Sequence, residues 1–269
     1  MLKGLRSAET AMNIQLTRTN VLANNLANVN ATGFKQVLTQ IVEQMRQESD
    51  GGAATTDAAM PDAAAAAEGA APAAAAGRGR SIRDLVLDVR APVDMSQGTL
   101  RETGRPTDLA FQDEGLFRVV RDGQEYFTRN GAFALDAQRR LSTPDGALVQ
   151  GEGGPLEIPE GELSVGADGG VRVGGVEVGR LSVVAFDDPG RLHHVGGSLL
   201  AAPAGVTAKP LAADKVRLVQ GMLEESNANP IDTMVAMIAA QRAFEMDAKV
   251  LQESDRTLDK AVNQLSRTA

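Results

Sequence analysis

Residues 227–265 read NANPIDTMVAMIAAQRAFEMDAKVLQESDRTLDKAVNQL, and within them Met237, Phe244, Leu251, Leu258 and Leu265 recur at steps of seven, with Ala240 and Ala261 between them. Matches sustained over that length predict a long helix whose apolar seam faces another helix. Asn229 stands where a cap belongs. Pro230 fits the first helical position, because the N–H it lacks would have no partner in the first turn anyway.

A seam needs a partner, and the other end of the chain offers one. From Leu2 to about Leu26, Leu5, Ala8, Met12, Leu22 and Leu26 fall at steps of three and four, with Gln15 and Thr19 in the missing places. That is an amphipathic helix with a narrow stripe. It leads into NVLANNLANVNATGFK, residues 20–35, where asparagines alternate with small aliphatic residues. Asn24 and Asn28, with Asn25 beside them, would form an amide row next to Leu22 and Leu26. Such a row facing another chain can fix register. Gly33 is expected to end the helix and Phe34 to anchor the chain beyond it. The plainer alternative is a helix terminus with its polar residues turned to water.

Between the helices the pattern changes twice. Residues 51–80 are half alanine and contain no Leu, Ile, Val or Phe. They cannot bury enough apolar surface to offset chain entropy, and Pro61 and Pro72 interrupt any helix, so a flexible insert is expected over 48–80. From residue 81 to 220 the period falls to two. Turn signals stand at Asp122–Gly123, Asp145–Gly146, Asp168–Gly169 and Gly174–Gly175, which predicts short strands in a compact β domain. The expected fold is therefore α+β: N- and C-terminal helices pairing as a coiled-coil-like layer, with a central all-β domain. Its parts are a helical region at 1–47, the insert at 48–80, the β domain at 81–220, and a helical region at 221–269 that pairs with the first.

Composition excludes several functions. The net charge of −8 opposes attraction to nucleic acid or anionic lipid. Aromatic residues make up only 3%, too few for stacking platforms, and the absence of cysteine removes thiolate chemistry and structural zinc. No apolar run approaches the roughly 20 residues of a membrane span, and residues 1–15 lack the apolar core of a cleavable signal. Adjacent His193 and His194 on a strand would point to opposite faces, poorly placed to share a metal, and the reading favours a plain loop pair followed by GG. The glycine cluster at 151–155 lacks the Lys and Ser/Thr of a phosphate loop. Arg78, Arg80 and Arg83 read as a solvated charge patch. No catalytic residue, cofactor or metal site is expected.

Three stretches carry a resemblance. LANNLANVNATGFK at 22–35, SQGTLRETGRPTDLAFQDEGLFRV at 96–119 followed by YFTRNGAFALD, and the C-terminal stretch beginning LEESNANPID resemble the bacterial flagellar rod and hook family in the family's order. The resemblance covers nearly the whole chain outside 51–80. It stands nearer the proximal-rod branch, with the distal rod next. It implies a structural subunit exported by the flagellar type III apparatus without a cleaved signal. Its partners would be other copies of itself and other rod proteins in the basal body, with no nucleic acid and no membrane insertion. Leu5, Met12, Leu22, Asn24, Asn25, Leu26, Asn28, Gly33, Phe34, Met237, Phe244, Leu251, Leu258 and Leu265 are then candidates for the assembly interface. The rivals are a distal-rod or hook-type subunit, and a non-flagellar ligand-binding β domain on helical arms.

Overall fold

A computed structural model describes residues 2–45 and 85–265. The insert at 51–80 and the arginines at 78, 80 and 83 lie outside the described residues. The chain is α+β: helix α1, Leu2–Ala27, a β-rich middle, and helix α2, Pro230–Leu265. The start of α2 follows from its residues. The side-chain oxygen of Asn229 accepts the Ile231 N–H at 2.9 Å, and its carbonyl accepts the Thr233 N–H at 3.0 Å. Helix α1 stops at Ala27, well before Gly33, and residues 28–33 form turns. Among the described residues no helix is long and apolar enough to cross a membrane.

The largest sheet has ten strands. Its spine is the hairpin of Leu116–Arg121 and Gln124–Thr128, closed where Arg121 faces Gln124. Between them Asp122 and Gly123 take φ of 53° and 75°, the left-handed pair whose twist matches that of the flanking strands. The other expected turns also join consecutive strands, with Gly146, Gly169, Gly174 and Gly175 at positive φ. Side chains alternate across Leu116–Arg121 and separate two cores. Phe117 and Val119 join one core, where the rings of Phe111, Phe117 and Phe133 stand 4.4 and 4.9 Å apart. Leu116 joins the other, with Phe127, Val184, Leu192 and Leu200. A three-stranded sheet, Leu163–Val165, Gly170–Val173 and Val176–Arg180, packs Val171 and Val173 into the first core.

Two small ladders position the functional region. Leu100–Glu102 pairs with Met222–Glu224, and Leu109–Phe111 pairs with Leu218–Gln220, both antiparallel. The segment leading into the β domain thus runs beside the segment leaving it. The end of α1 and the start of α2 converge on that place, and the two helices lie side by side in opposite directions.

Candidate functional site

Where both terminal segments reach the β domain, three charged residues from distant parts of the chain meet. Glu224, on the outgoing strand, accepts from Lys35 Nζ at 2.5 Å and from Arg129 Nε at 2.6 Å. All three side chains are almost wholly buried. The remaining donors are also satisfied. Lys35 donates to the Ser96 carbonyl at 2.7 Å, and Arg129 donates to the carbonyls of Gly115 and Asp113, each at 2.6 Å. The Gly98 N–H adds a third bond to the carboxylate, at 2.8 Å. Burial alone would push the Glu224 carboxyl up, but Arg129 and Lys35 outweigh it and hold the group below its ordinary 4.5. For Lys35 burial wins and lowers the ammonium from 10.5, although Glu224 pulls the other way.

Around the triad, amides tie the N-terminal segment down. Asn25 Nδ2 donates to the Val37 carbonyl at 2.8 Å, and its oxygen accepts the Val37 N–H at 2.9 Å, so the side chain pairs with backbone as a neighbouring strand would. Asn227, just before α2, accepts the Gln36 N–H at 2.7 Å and donates to the carbonyls of Asp94 and Ser96. Gly33 donates to the Glu224 carbonyl at 2.7 Å and has φ of 64°. A Cβ there would lie 2.3 Å from the backbone nitrogen of Asn130. Gly33→Ala should therefore lose at least the roughly 1–2 kcal/mol of a left-handed non-glycine residue. The urea midpoint measures this, and an unchanged midpoint would contradict the packing described.

Phe34 is fully buried and stacks on the His194 ring at 4.7 Å. His193 and His194 lie on a strand, His193–Gly196, and not in the expected loop. They point to opposite faces as strand geometry requires, with His193 exposed and His194 packed inward.

The charges of the triad are spent on one another and on neighbouring backbone carbonyls. What the arrangement does is tie the segment after α1 and the segment before α2 to one point of the β domain.

Comparison with known proteins agrees with that geometry. Residues 5–35 match the family described as Flagella basal body rod protein. Residues 110–173 match Flagellar hook protein FlgE/F/G D1 domain, and 219–265 match Flagellar basal body rod FlgEFG protein C-terminal. A flagellar basal-body rod protein FlgF of Caulobacter vibrioides is 31% identical over 252 residues, 92% of this chain and 91% of that protein. The chain belongs to the flagellar basal-body rod family. Other rod-family relatives are FlgG of Borreliella burgdorferi, 29% identical over 98% of both chains, and FlgF of Escherichia coli, 37% identical over 68% of this chain and 77% of that one.

Among the residues expected to matter in this rod-family chain, Asn25, Gly33 and Phe34 belong to the junction just described. Asn24 is exposed, and Asn28 Nδ2 donates to the Asn24 carbonyl at 2.9 Å, along its own helix end. Met12, Leu22 and Leu26 are half-buried on α1, and Met237, Phe244 and Leu251 are half-buried on α2. Leu5, Leu258 and Leu265 lie on the helix backbones.

Helix α2 also carries large exposed apolar residues that the step of seven does not pick out, and near its start they form a short row. Ile231, Met234, Val235, Ile238, Met246 and Val250 are each at least half exposed. At 3.6 residues per turn, Ile231, Val235 and Ile238 fall on the side away from Thr233, Met237, Ala240 and Phe244. One side of α2, with Thr233, Met237, Ala240 and Phe244, is thus buried or half-buried, and the side with Ile231, Val235 and Ile238 is bare.

Proposed function

We propose that the protein is a structural subunit of the flagellar basal-body rod. α1 and α2 pair within each copy as a coiled-coil-like layer, and the bare face of α2 docks on neighbouring rod subunits. The observation that carries this is the row of large apolar residues on α2, with Ile231 70%, Val235 62% and Ile238 52% exposed. A contiguous apolar row on one helix face marks an interaction surface, and burying each such side chain is worth roughly 1.5–3 kcal/mol.

The reading is supported by relatives that carry the rod name over nearly their whole length. It gives the chain no enzymatic role, export through the flagellar type III apparatus, and partners among copies of itself and other rod proteins. The regions at 1–47, 81–220 and 221–269 are its working units, with 48–80 an insert between them. Both FlgF-named and FlgG-named proteins are close relatives, and we place the chain with the proximal rod. The test is fractionation: a tagged chain should co-purify with detergent-extracted basal bodies, and its deletion should abolish motility. Recovery of the tagged chain only outside the basal bodies would sink the reading.

A further inference from the structure

The junction contains a titratable group that the triad does not use. His194 Nε2 lies 2.8 Å from the Lys35 carbonyl, so a neutral ring protonated on Nε2 donates to the N-terminal segment across 159 positions of chain. The same ring stacks on Phe34. Its other nitrogen, Nδ1, is buried and makes no hydrogen bond. One side chain of the β domain therefore grips two consecutive residues of the segment that leads out of α1.

We propose that His194 is an acid-operated latch, whose neutral ring holds residues 33–37 on the β domain and whose protonation loosens them. A second proton would have to enter at Nδ1, a buried atom on a ring that stacks against Phe34. No acidic side chain bonds to the ring. Among the charged groups on the elements around it, Lys35 is paired with Glu224, and Asp94 is bonded by Gln36 and Ser96. Asp145 lies beside Gly197 without bonding the ring, and Arg191 and His193 are exposed. Burial sets the direction, lowering the imidazole below 6.5, and His193 adds to it. The Lys35 carbonyl favours the protonated ring, as does the nearby backbone of Gly197, which does not reach Nδ1 in bonding geometry, and together they offset only part.

The sign follows. With the folded value below the unfolded one, the neutral ring's contribution is complete above about pH 6.5 and is lost as the pH falls through the folded value. The composition isolates the effect, because the chain has two histidines and no cysteine. His193 is exposed.

The reporters are the amides of Gln36, Val37 and Leu38, which are bonded to Asn227, Asn25 and the Pro92 carbonyl. Hydrogen exchange on the full chain, corrected for intrinsic rates, should show their protection constant above about pH 6.5 and falling as the pH is lowered through the folded value. Amides of the hairpin at Val119 and Phe127 should stay protected. His193→Gln should behave like the parent. His194→Phe, which keeps the stack and cannot be charged, should flatten the profile. The two imidazole resonances in NMR give a second readout, with His194 titrating below 6.5. Constant protection in the parent, an equal loss in His194→Phe, or a His194 midpoint at or above 6.5 would each overturn the latch.

Discussion

Glu224→Gln should destabilise the β domain by about 3–5 kcal/mol, the cost of removing one partner from a buried ionic group and leaving the others uncompensated. The substitution keeps the shape of the side chain. It leaves Lys35 and Arg129, at most 3% exposed, as two buried cations where one anion had bridged them. For a domain of this size that corresponds to a fall in melting temperature of roughly 6–20 °C. The pH dependence identifies the cause. The Glu224 carboxyl is held below 4.5 in the fold, so its contribution is present above the unfolded value and disappears as the pH falls through the folded one. The gap between parent and variant should be widest near neutrality and narrow below about pH 4.5. A gap that stays constant with pH, or a variant as stable as the parent, would show that the triad is not what holds the junction.

The second large effect belongs to assembly. Replacing both Val235 and Ile238 with Asp should leave the monomer's fold nearly unchanged, because exposed substitutions away from special features usually stay within about 0.5 kcal/mol. Incorporation into basal bodies should fail. Two apolar contacts worth roughly 1.5–3 kcal/mol each are lost, and two carboxylates would have to enter a dry contact. Val176→Asp is the control: this valine is 67% exposed, more than either of the others, but stands at a β hairpin. It should incorporate and support swimming. A double variant that incorporates normally would remove the bare face of α2 from the assembly surface.

Helices, hairpins and turns were legible because their causes are local. The cap at Asn229, the step of seven from Met237 to Leu251, and the left-handed pair at Asp122–Gly123 each depend on residues a few places apart. The junction was not legible in that way. Lys35 and Glu224 are 189 positions apart, and Arg129 and Glu224 are 95 apart, so no spacing rule connects them. They stand inside the stretches that carry the family resemblance, but resemblance does not say which residues touch. The asparagines illustrate the limit. Counting at steps of four aligns Asn24 with Asn28, whereas the structural work falls to Asn25, whose amide meets Val37 only because the chain turns back after Ala27. His194 was hidden for the same reason, since its partners Phe34 and Lys35 come from the far end of the chain. On α2 the heptad test finds Met237, Phe244 and Leu251, which are half-buried. The bare row starting at Ile231 lies outside that set, because it stands on the opposite side of the helix.

The chain's lack of cysteine makes the central claim directly measurable. With a single Ile238→Cys substitution, maleimide labelling of the purified monomer should be fast, since the side chain is half exposed. Labelling of the same residue in intact basal bodies should be strongly suppressed, and recover once they are dissociated. Equal labelling in monomer and basal bodies would contradict the proposal that the bare face of α2 is buried when the rod assembles.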